Sequence, residues 1–448
     1  MANFPAEFLG LPNHIPAYAA SRGTERVLQG VNYASGGAGI RTEIGKIVGE
    51  RVDLFTRLEH HSISVDSSCT LAIGINTTDG SDVDGLCKPE QTEPIAYSSC
   101  KPAAITKTSH RTYIEVPGYY IFGDSLADSG NNNNLMTLAK ANFHPYGIDY
   151  PGGPTGRFTN GRTYVDFIAE FLGFDHHMPP FSTANGDQIL QGVNYASAGA
   201  GIRPETGKIC GERFHIMAQL DHHRTTVSRI KQLKGNNDQA TQEHLSKCIY
   251  TVGIGSNDYM NNYLVVPANP KDVVFTPDKW AEDLIGRYNT FLRGLYDLGA
   301  RKIVLWGLGP IGCEPSQVKA LRMAGKPGCV DMVNHIVSLY NNRFAPLVDE
   351  LNKLPDAKFI FVNNTHISPG NNPASIGVKV GDRPCCTTVA VPGTCIRGMP
   401  PCPNRDEYSF FDSYHPTEKA VLPGAKRAFQ AQEPQDVYPM DISRLAQL

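Results

Sequence analysis

The sequence predicts an α/β fold, a parallel sheet with helices on both faces, and three observations predict it. Four short apolar, β-favouring runs are spread along the chain. The stretches between them carry apolar residues at helical spacing, and several runs end in segments rich in Gly, Ser, Asn and Asp. The first run, TYIEVPGYYIF, takes over at about Val116 and passes into GDSLADSGNNNN. CIYTVGIG (248–255), KIVLWGLG (302–309) and KFIFVNN (358–364) come after it, each apolar throughout, as a strand covered on both faces must be. Between the second and third, Thr276-Pro277 supplies a helix start ahead of Leu284, Ile285, Tyr288, Phe291, Leu292, Leu295 and Tyr296 on one face. A further helix is expected over about 330–354, where Val333, Ile336, Leu339, Tyr340 and Phe344 share a face. In such sheets the active site lies beyond the carboxyl ends of the strands.

Not all of the chain belongs to this pattern. Its 448 residues allow two or three domains, but QGVNYASGGAGIR at Gln29–Arg41 returns as QGVNYASAGAGIR at Gln191–Arg203, identical at 12 of 13 positions. GKIVGER at Gly45 returns as GKICGER at Gly207, and LEHH at Leu58 as LDHH at Leu220. Residues 1–66 are therefore a partial repeat of 165–228, expected to have no function of their own. Residues 67–115, rich in small and polar side chains, read as a poorly ordered linker, which leaves 116–448 as the single functional domain.

With 41 basic against 44 acidic residues and a net charge of −3, nothing points to nucleic acid or an acidic membrane surface as partner. No stretch approaches the ~20 apolar residues of a transmembrane span. The N-terminus, MANFPAEFLGLPNHIPAYAA, lacks the basic patch and unbroken apolar run of an export signal. The cysteines point the other way. Four of the eleven, Cys385, Cys386, Cys395 and Cys402, crowd together without a neighbouring histidine, in a spacing that favours one or two disulfides over a zinc site. Two N-x-T sequons, at Asn76 and Asn363, are compatible with secretion.

The strand ends hold the chemistry. Ser125 comes just after the first strand and precedes a helical start, a position that suits either a nucleophile near an oxyanion-stabilising helix N-terminus or a simple N-cap. A serine hydroxyl needs a base, and the base needs a carboxylate to fix its tautomer. Asp412 and His415, three residues apart, supply that pair, although the same spacing also occurs in surface turns and metal sites. The strand CIYTVGIG delivers Asn257, whose amide either donates to an oxyanion or makes an Asx-turn. The small-residue loop 194–201 offers backbone N–H groups, with Gly199 or Gly201 as its special position, or is only a tight turn. Gly307–Gly312 spells GxGxxG, but Pro315 and Pro327 interrupt the next stretch of chain and no βαβ unit closes it, so it reads as a structural loop.

Taken in order, FGDSLADSGNNN, GRFTNGRT, GVNYASAGAGI, GIGSNDY, GLGPIGCEP and CPNRDEYSFFDSYHPTE resemble the blocks of the plant GDSL esterase/lipase family, of the SGNH-hydrolase group, over residues 116–448. The resemblance implies a three-layer α/β/α sandwich with a flavodoxin-like sheet and a serine hydrolase of lipid or other acyl esters, secreted and glycosylated, with no metal or cofactor. It implies Ser125 as nucleophile, His415 as base and then acid, and Asp412 as its orienting partner. The oxyanion hole would be Ser125 N–H, Gly201 N–H and the Asn257 side chain. An acyltransferase on the same scaffold, or a catalytically silent binding protein, are the alternatives. The N-terminal repeat carries only the glycine block and no equivalent of Ser125, Asn257, Asp412 or His415, so it is not expected to form a second site.

Overall fold

A computed structural model of the chain describes residues 116–264, 275–321, 328–368, 373–390 and 392–448. The N-terminal repeat, the linker, the Asn76 sequon and Cys69, Cys87 and Cys100 lie outside the described residues.

All four expected strands form. β1 (Tyr119–Gly123), β2 (Ile249–Gly253), β3 (Lys302–Trp306) and β4 (Lys358–Val362) lie side by side in that order and run parallel. β5 (Val380–Pro384) and β6 (Tyr408–Phe410) make a separate pair, and β7 (Val437–Tyr438) adds to β4 in the antiparallel sense. The sheet is thus mostly parallel with one antiparallel edge. At the opposite edge the expected loop 194–201 begins as extended chain beside β1. Ile121 N–H donates to Val193 O at 3.0 Å, Tyr195 N–H to Ile121 O at 2.7 Å, and Ser197 N–H to Gly123 O at 3.2 Å. Counting this segment, the second piece in the chain sits outside the first, and the remaining strands lie on the other side, as in a flavodoxin-like sheet.

Strand residues alternate between two apolar layers. Tyr120, Phe122, Tyr250, Val252, Ile303, Leu305, Phe359 and Phe361 face one, where they meet α2 (Ile216–Leu233), α3 (Asp238–Lys247), α4 (Pro277–Asp297), α5 (Asp331–Asn341) and α6 (Phe344–Leu351). Tyr119, Ile121, Ile249, Val304, Trp306, Ile360 and Val362 face the other, against α1 (Tyr164–Phe171), α7 (Glu418–Phe429) and α8 (Ile442–Gln447). The α4 helix starts as its sequence demands, with Pro277 in the first turn and Thr276 Oγ1 accepting the Lys279 N–H at 3.3 Å. The single helix expected over 330–354 is instead two, α5 and α6, parted at Asn342-Arg343. Pro346 explains the break: it has no N–H to continue the ladder from α5, but in the first turn of a new helix none is needed.

α2 buries His223 within a ring cluster, its centroid 5.3 Å from Tyr120, 5.5 Å from Phe122, 5.4 Å from Tyr195 and 5.6 Å from Tyr250. Burial pushes its pKa down to about 3, so the folded protein holds it neutral where the unfolded chain would protonate it. The stability from this difference is present above the unfolded value near 6.5 and is lost as pH falls towards the folded one. Urea unfolding measured from about pH 7 to about pH 4 is expected to show a loss of up to ~1.4 kcal/mol per pH unit from this residue. His223→Phe should flatten that slope, and equal slopes in both proteins would contradict the account.

Candidate active site

The chain leaves β1 at Gly123, where an added Cβ would stand 2.7 Å from Gly253 O, so glycine is required for β1 and β2 to end this close together. Asp124 turns the chain by accepting the Leu126 N–H at 3.0 Å, and Ser125 projects from that turn. His415 Nε2 lies 2.7 Å from Ser125 Oγ, across 290 residues of sequence. On the other side of the ring, Nδ1 lies 2.7 Å from Asp412 Oδ2 and 2.8 Å from Oδ1. The Phe158 ring packs beside the imidazole at 4.9 Å between centroids.

Asp412 is fully buried and its oxygens are surrounded by donors. The Tyr414 and His415 N–H groups donate to Oδ1 at 2.9 and 2.8 Å, and the Tyr146 hydroxyl donates to Oδ2 at 2.5 Å. Tyr146 is itself fixed, since its oxygen accepts the Cys395 N–H at 3.0 Å. Burial and the neighbouring Asp412 hold the Tyr146 hydroxyl well above its ordinary pKa, so it stays a donor. Sequence reasoning missed Tyr146 entirely: a lone tyrosine in a turn-rich segment carries no pattern.

The loop that presents Cys395 is tied by two disulfides, Cys385–Cys402 and Cys386–Cys395, in the cysteine cluster where one or two bridges are expected. These cysteines form a small apolar core with Ala139, Ala141, Tyr146, Phe158, Ala198 and Phe411 above the sheet end. A third bridge, Cys313–Cys329, has no counterpart among the expectations.

Asn257 lies in the short helix after β2, and its amide Nδ2 donates to Ala200 O at 3.0 Å while Oδ1 accepts from Asn261 at 2.9 Å. One Nδ2 hydrogen therefore remains for another acceptor. The glycine loop is held against this helix by buried Asp258, which accepts the Ile202 N–H at 2.8 Å, the Arg203 N–H at 3.0 Å and the Thr206 hydroxyl at 2.7 Å. The two candidate glycines have different physical reasons. Gly199 has φ +77° with open space where a side chain would be, whereas a Cβ on Gly201 would meet Thr206 Cγ2 at 2.3 Å and Asp258 Oδ2 at 2.7 Å. Gly199 is needed for its conformation and Gly201 for close approach to the Asn257 helix. Asp128 joins the serine turn to the same loop, accepting the Gly130 and Asn131 N–H groups at 2.7 and 2.8 Å and the Ala198 N–H at 3.0 Å. The asparagine run does similar work: Asn131 Nδ2 donates to Asn194 O and Ala196 O, and Asn132 Nδ2 to Ala139 O and Ala198 O.

The structure thus brings Ser125, His415 and Asp412 into one hydrogen-bonded chain and packs the Asn257 helix against the Gly201 loop. That chain has the geometry to take a proton from the serine and hold it on the imidazole. Gly307–Gly312 is a packed loop, in which Asn341 clamps Leu308 through bonds of 2.9 Å to its N–H and its carbonyl. His366, Glu433 and Asp436 converge at the surface near β7, but Asp436 is already paired with Arg427.

Comparison with known proteins places the chain among relatives. A family model described as GDSL-like Lipase/Acylhydrolase matches residues 119–422. Three GDSL esterase/lipases of Arabidopsis thaliana are 48%, 46% and 46% identical to it over 342, 341 and 337 residues. Those alignments span 75%, 75% and 74% of this chain and 92%, 92% and 93% of the relatives.

The support of Asp412 by Tyr146 is testable without a known substrate. Tyr146→Phe is expected to slow the reaction of Ser125 with a fluorophosphonate about tenfold, the worth of one hydrogen bond to a buried carboxylate. An unchanged rate would remove Tyr146 from the site's support.

Proposed function

The chain belongs to the GDSL-like lipase/acylhydrolase family, and from that premise we propose that it is a serine hydrolase of carboxylic esters, acting through an acyl-enzyme. Ser125 is the nucleophile, His415 the proton carrier and Asp412 its orienting partner. The observation that carries this reading is the unbroken chain from Ser125 Oγ through His415 to Asp412, with contacts of 2.7 Å on each side of the imidazole.

That chain dictates the chemistry. With Nδ1–H donated to Asp412, His415 Nε2 is an acceptor and takes the Ser125 proton as Oγ attacks the ester carbonyl carbon. The carbonyl π electrons move to oxygen, and Ser125 N–H, Gly201 N–H and the free Asn257 Nδ2 hydrogen stabilise that charge. The imidazolium, stabilised by buried Asp412, returns its proton to the alcohol oxygen as the C–O bond breaks. Water then enters, gives a proton to His415 and attacks the acyl carbon. Ser125 leaves with that proton, and the acid is released. No step calls for a metal or redox group.

Lipid or other acyl esters are the substrate class, and residues 116–448 carry the activity while 1–66 add none. Three disulfides suit an oxidising, extracellular compartment. Asn363, which caps a short helix at a partly exposed position, is the sequon for glycosylation within the described residues. No helix among the described residues is long and apolar enough to cross a membrane.

Ser125→Ala is expected to lower kcat for p-nitrophenyl acetate by roughly 10³-fold or more. His415→Ala should be comparably damaging, and Asp412→Asn less so. Hydrolysis that survives Ser125→Ala would overturn the assignment. A chain starting at Val116 should be labelled by a fluorophosphonate as the full chain is, and loss of labelling on truncation would refute the placement of activity in 116–448.

A further inference from the structure

A hydrogen-bond donor that stabilises a developing charge is only as good as its aim, and the Asn257 amide has two ends of almost the same shape. One end donates and the other accepts, so a half-turn about the last side-chain bond would present an oxygen where an N–H is wanted. What decides between the two orientations lies behind the residue. Asn257 Nδ2 faces Ala200 O at 3.0 Å, and a carbonyl can only accept. Asn257 Oδ1 faces Asn261 Nδ2 at 2.9 Å, an amino group that can only donate. The reversed amide would set oxygen against oxygen on one side and N–H against N–H on the other. Asn257 is buried, so both losses would go without replacement by water.

The local backbone explains how Asn261 reaches back. Asn257 lies in a single helical turn, Ser256–Asp258, which widens at once into a turn over Tyr259–Tyr263, closed by the i→i+5 bond from Leu264 N–H to Tyr259 O at 2.8 Å. Two successive asparagines use this wide turn to reach different parts of the site. Asn261 holds the carbonyl end of Asn257, while Asn262 Nδ2 donates to Thr206 Oγ1 at 2.6 Å. Thr206 belongs to the other side of the site, since it packs against Gly201 and donates to Asp258. The bond from Asn261 also strengthens what it orients: a donor on an amide oxygen polarises the amide and makes its N–H groups better donors. That gain counts most when negative charge sits on the substrate oxygen, in the transition state more than in the bound ester.

We propose that Asn261 is a positioning residue of the reaction: by donating to Asn257 Oδ1 it fixes the amide with Nδ2 towards the reacting carbonyl and raises its donor strength in the transition state. The inference rests on the ester-hydrolase reading, with Asn257 in the oxyanion hole, and adds a residue that acts only through Asn257.

A double-mutant cycle in the full chain tests it, with p-nitrophenyl acetate as substrate. Asn257→Ala is expected to lower kcat by about 10²-fold or more, the worth of an oxyanion donor. Asn261→Leu, similar in size but without a donor, should lower kcat about tenfold and leave KM unchanged. In Asn257→Ala, the further change Asn261→Leu should cost nothing, because its route to the reaction has gone. Should Asn261→Leu not fold, Asn261→Ala makes the same comparison. A merely structural asparagine would be missed as much in Asn257→Ala as in the native protein, so losses that multiply would overturn the inference. An unchanged kcat in Asn261→Leu, or a loss confined to KM, would overturn it too. The readings fail separately. If Asn257→Ala is damaging and the two losses multiply, only the role of Asn261 falls. If Asn257→Ala leaves kcat unchanged, the oxyanion assignment falls and takes Asn261 with it, and hydrolysis that survives Ser125→Ala removes the ester-hydrolase reading beneath both.

Discussion

A carboxylate with no access to water has to be surrounded by donors, and Asp412 sets that requirement for the whole upper end of the molecule. Two of its four donors come from its own turn, and the third is the His415 ring. The fourth is Tyr146, brought from 266 residues away and held in turn by the backbone of Cys395. The disulfide-tied loop, the aromatic cluster around Tyr146 and the turn ending in Pro416 are thereby parts of one hydrogen-bonded assembly. Replacing any donor with a group that cannot donate would leave a buried charge unbalanced, and such losses are larger than the bond itself is worth.

The same logic extends outwards through other buried acids. Asp128 joins the serine turn to the glycine loop, and Asp258 joins that loop to the helix bearing Asn257. Asp128 accepts two N–H groups from its own turn and one from a segment remote in sequence, while Asp258 accepts two N–H groups and a hydroxyl from residues 202–206, which a water molecule could do only by being ordered itself. Burial raises both, and Asp124 beside them, with Asp124 reaching about 7 and the other two about 6. The loops that meet at the site are therefore fastened by groups that are themselves costly to bury. This is how three strand ends with little regular structure beyond them present side chains at fixed distances.

Much of this was legible in the sequence because it is expressed in local pattern. β1 to β4 are continuous apolar runs, α4 announces itself with Thr276-Pro277, and Ser125, Asp412 and His415 stand in short recognisable blocks. Features that escaped detection are expressed only in three dimensions. β7 is two residues long, and the edge beside β1 is built from small side chains that look like a loop. The break at Asn342-Arg343 hides inside an uninterrupted apolar periodicity. Tyr146 and the Cys313–Cys329 bridge have no sequence signature, since each depends on a partner set by tertiary packing.

The reach of 290 residues between Ser125 and His415 has a consequence for the life of the chain. Synthesis proceeds from the N-terminus, so Ser125, just past the first strand of the sheet, is made 290 residues before His415. Until then the serine is an ordinary alcohol. A chain that stops short of His415 lacks the imidazole bonded to Ser125 Oγ, so on the proposed reading reactivity waits until β1 to β4 and the turn after β6 have all been made.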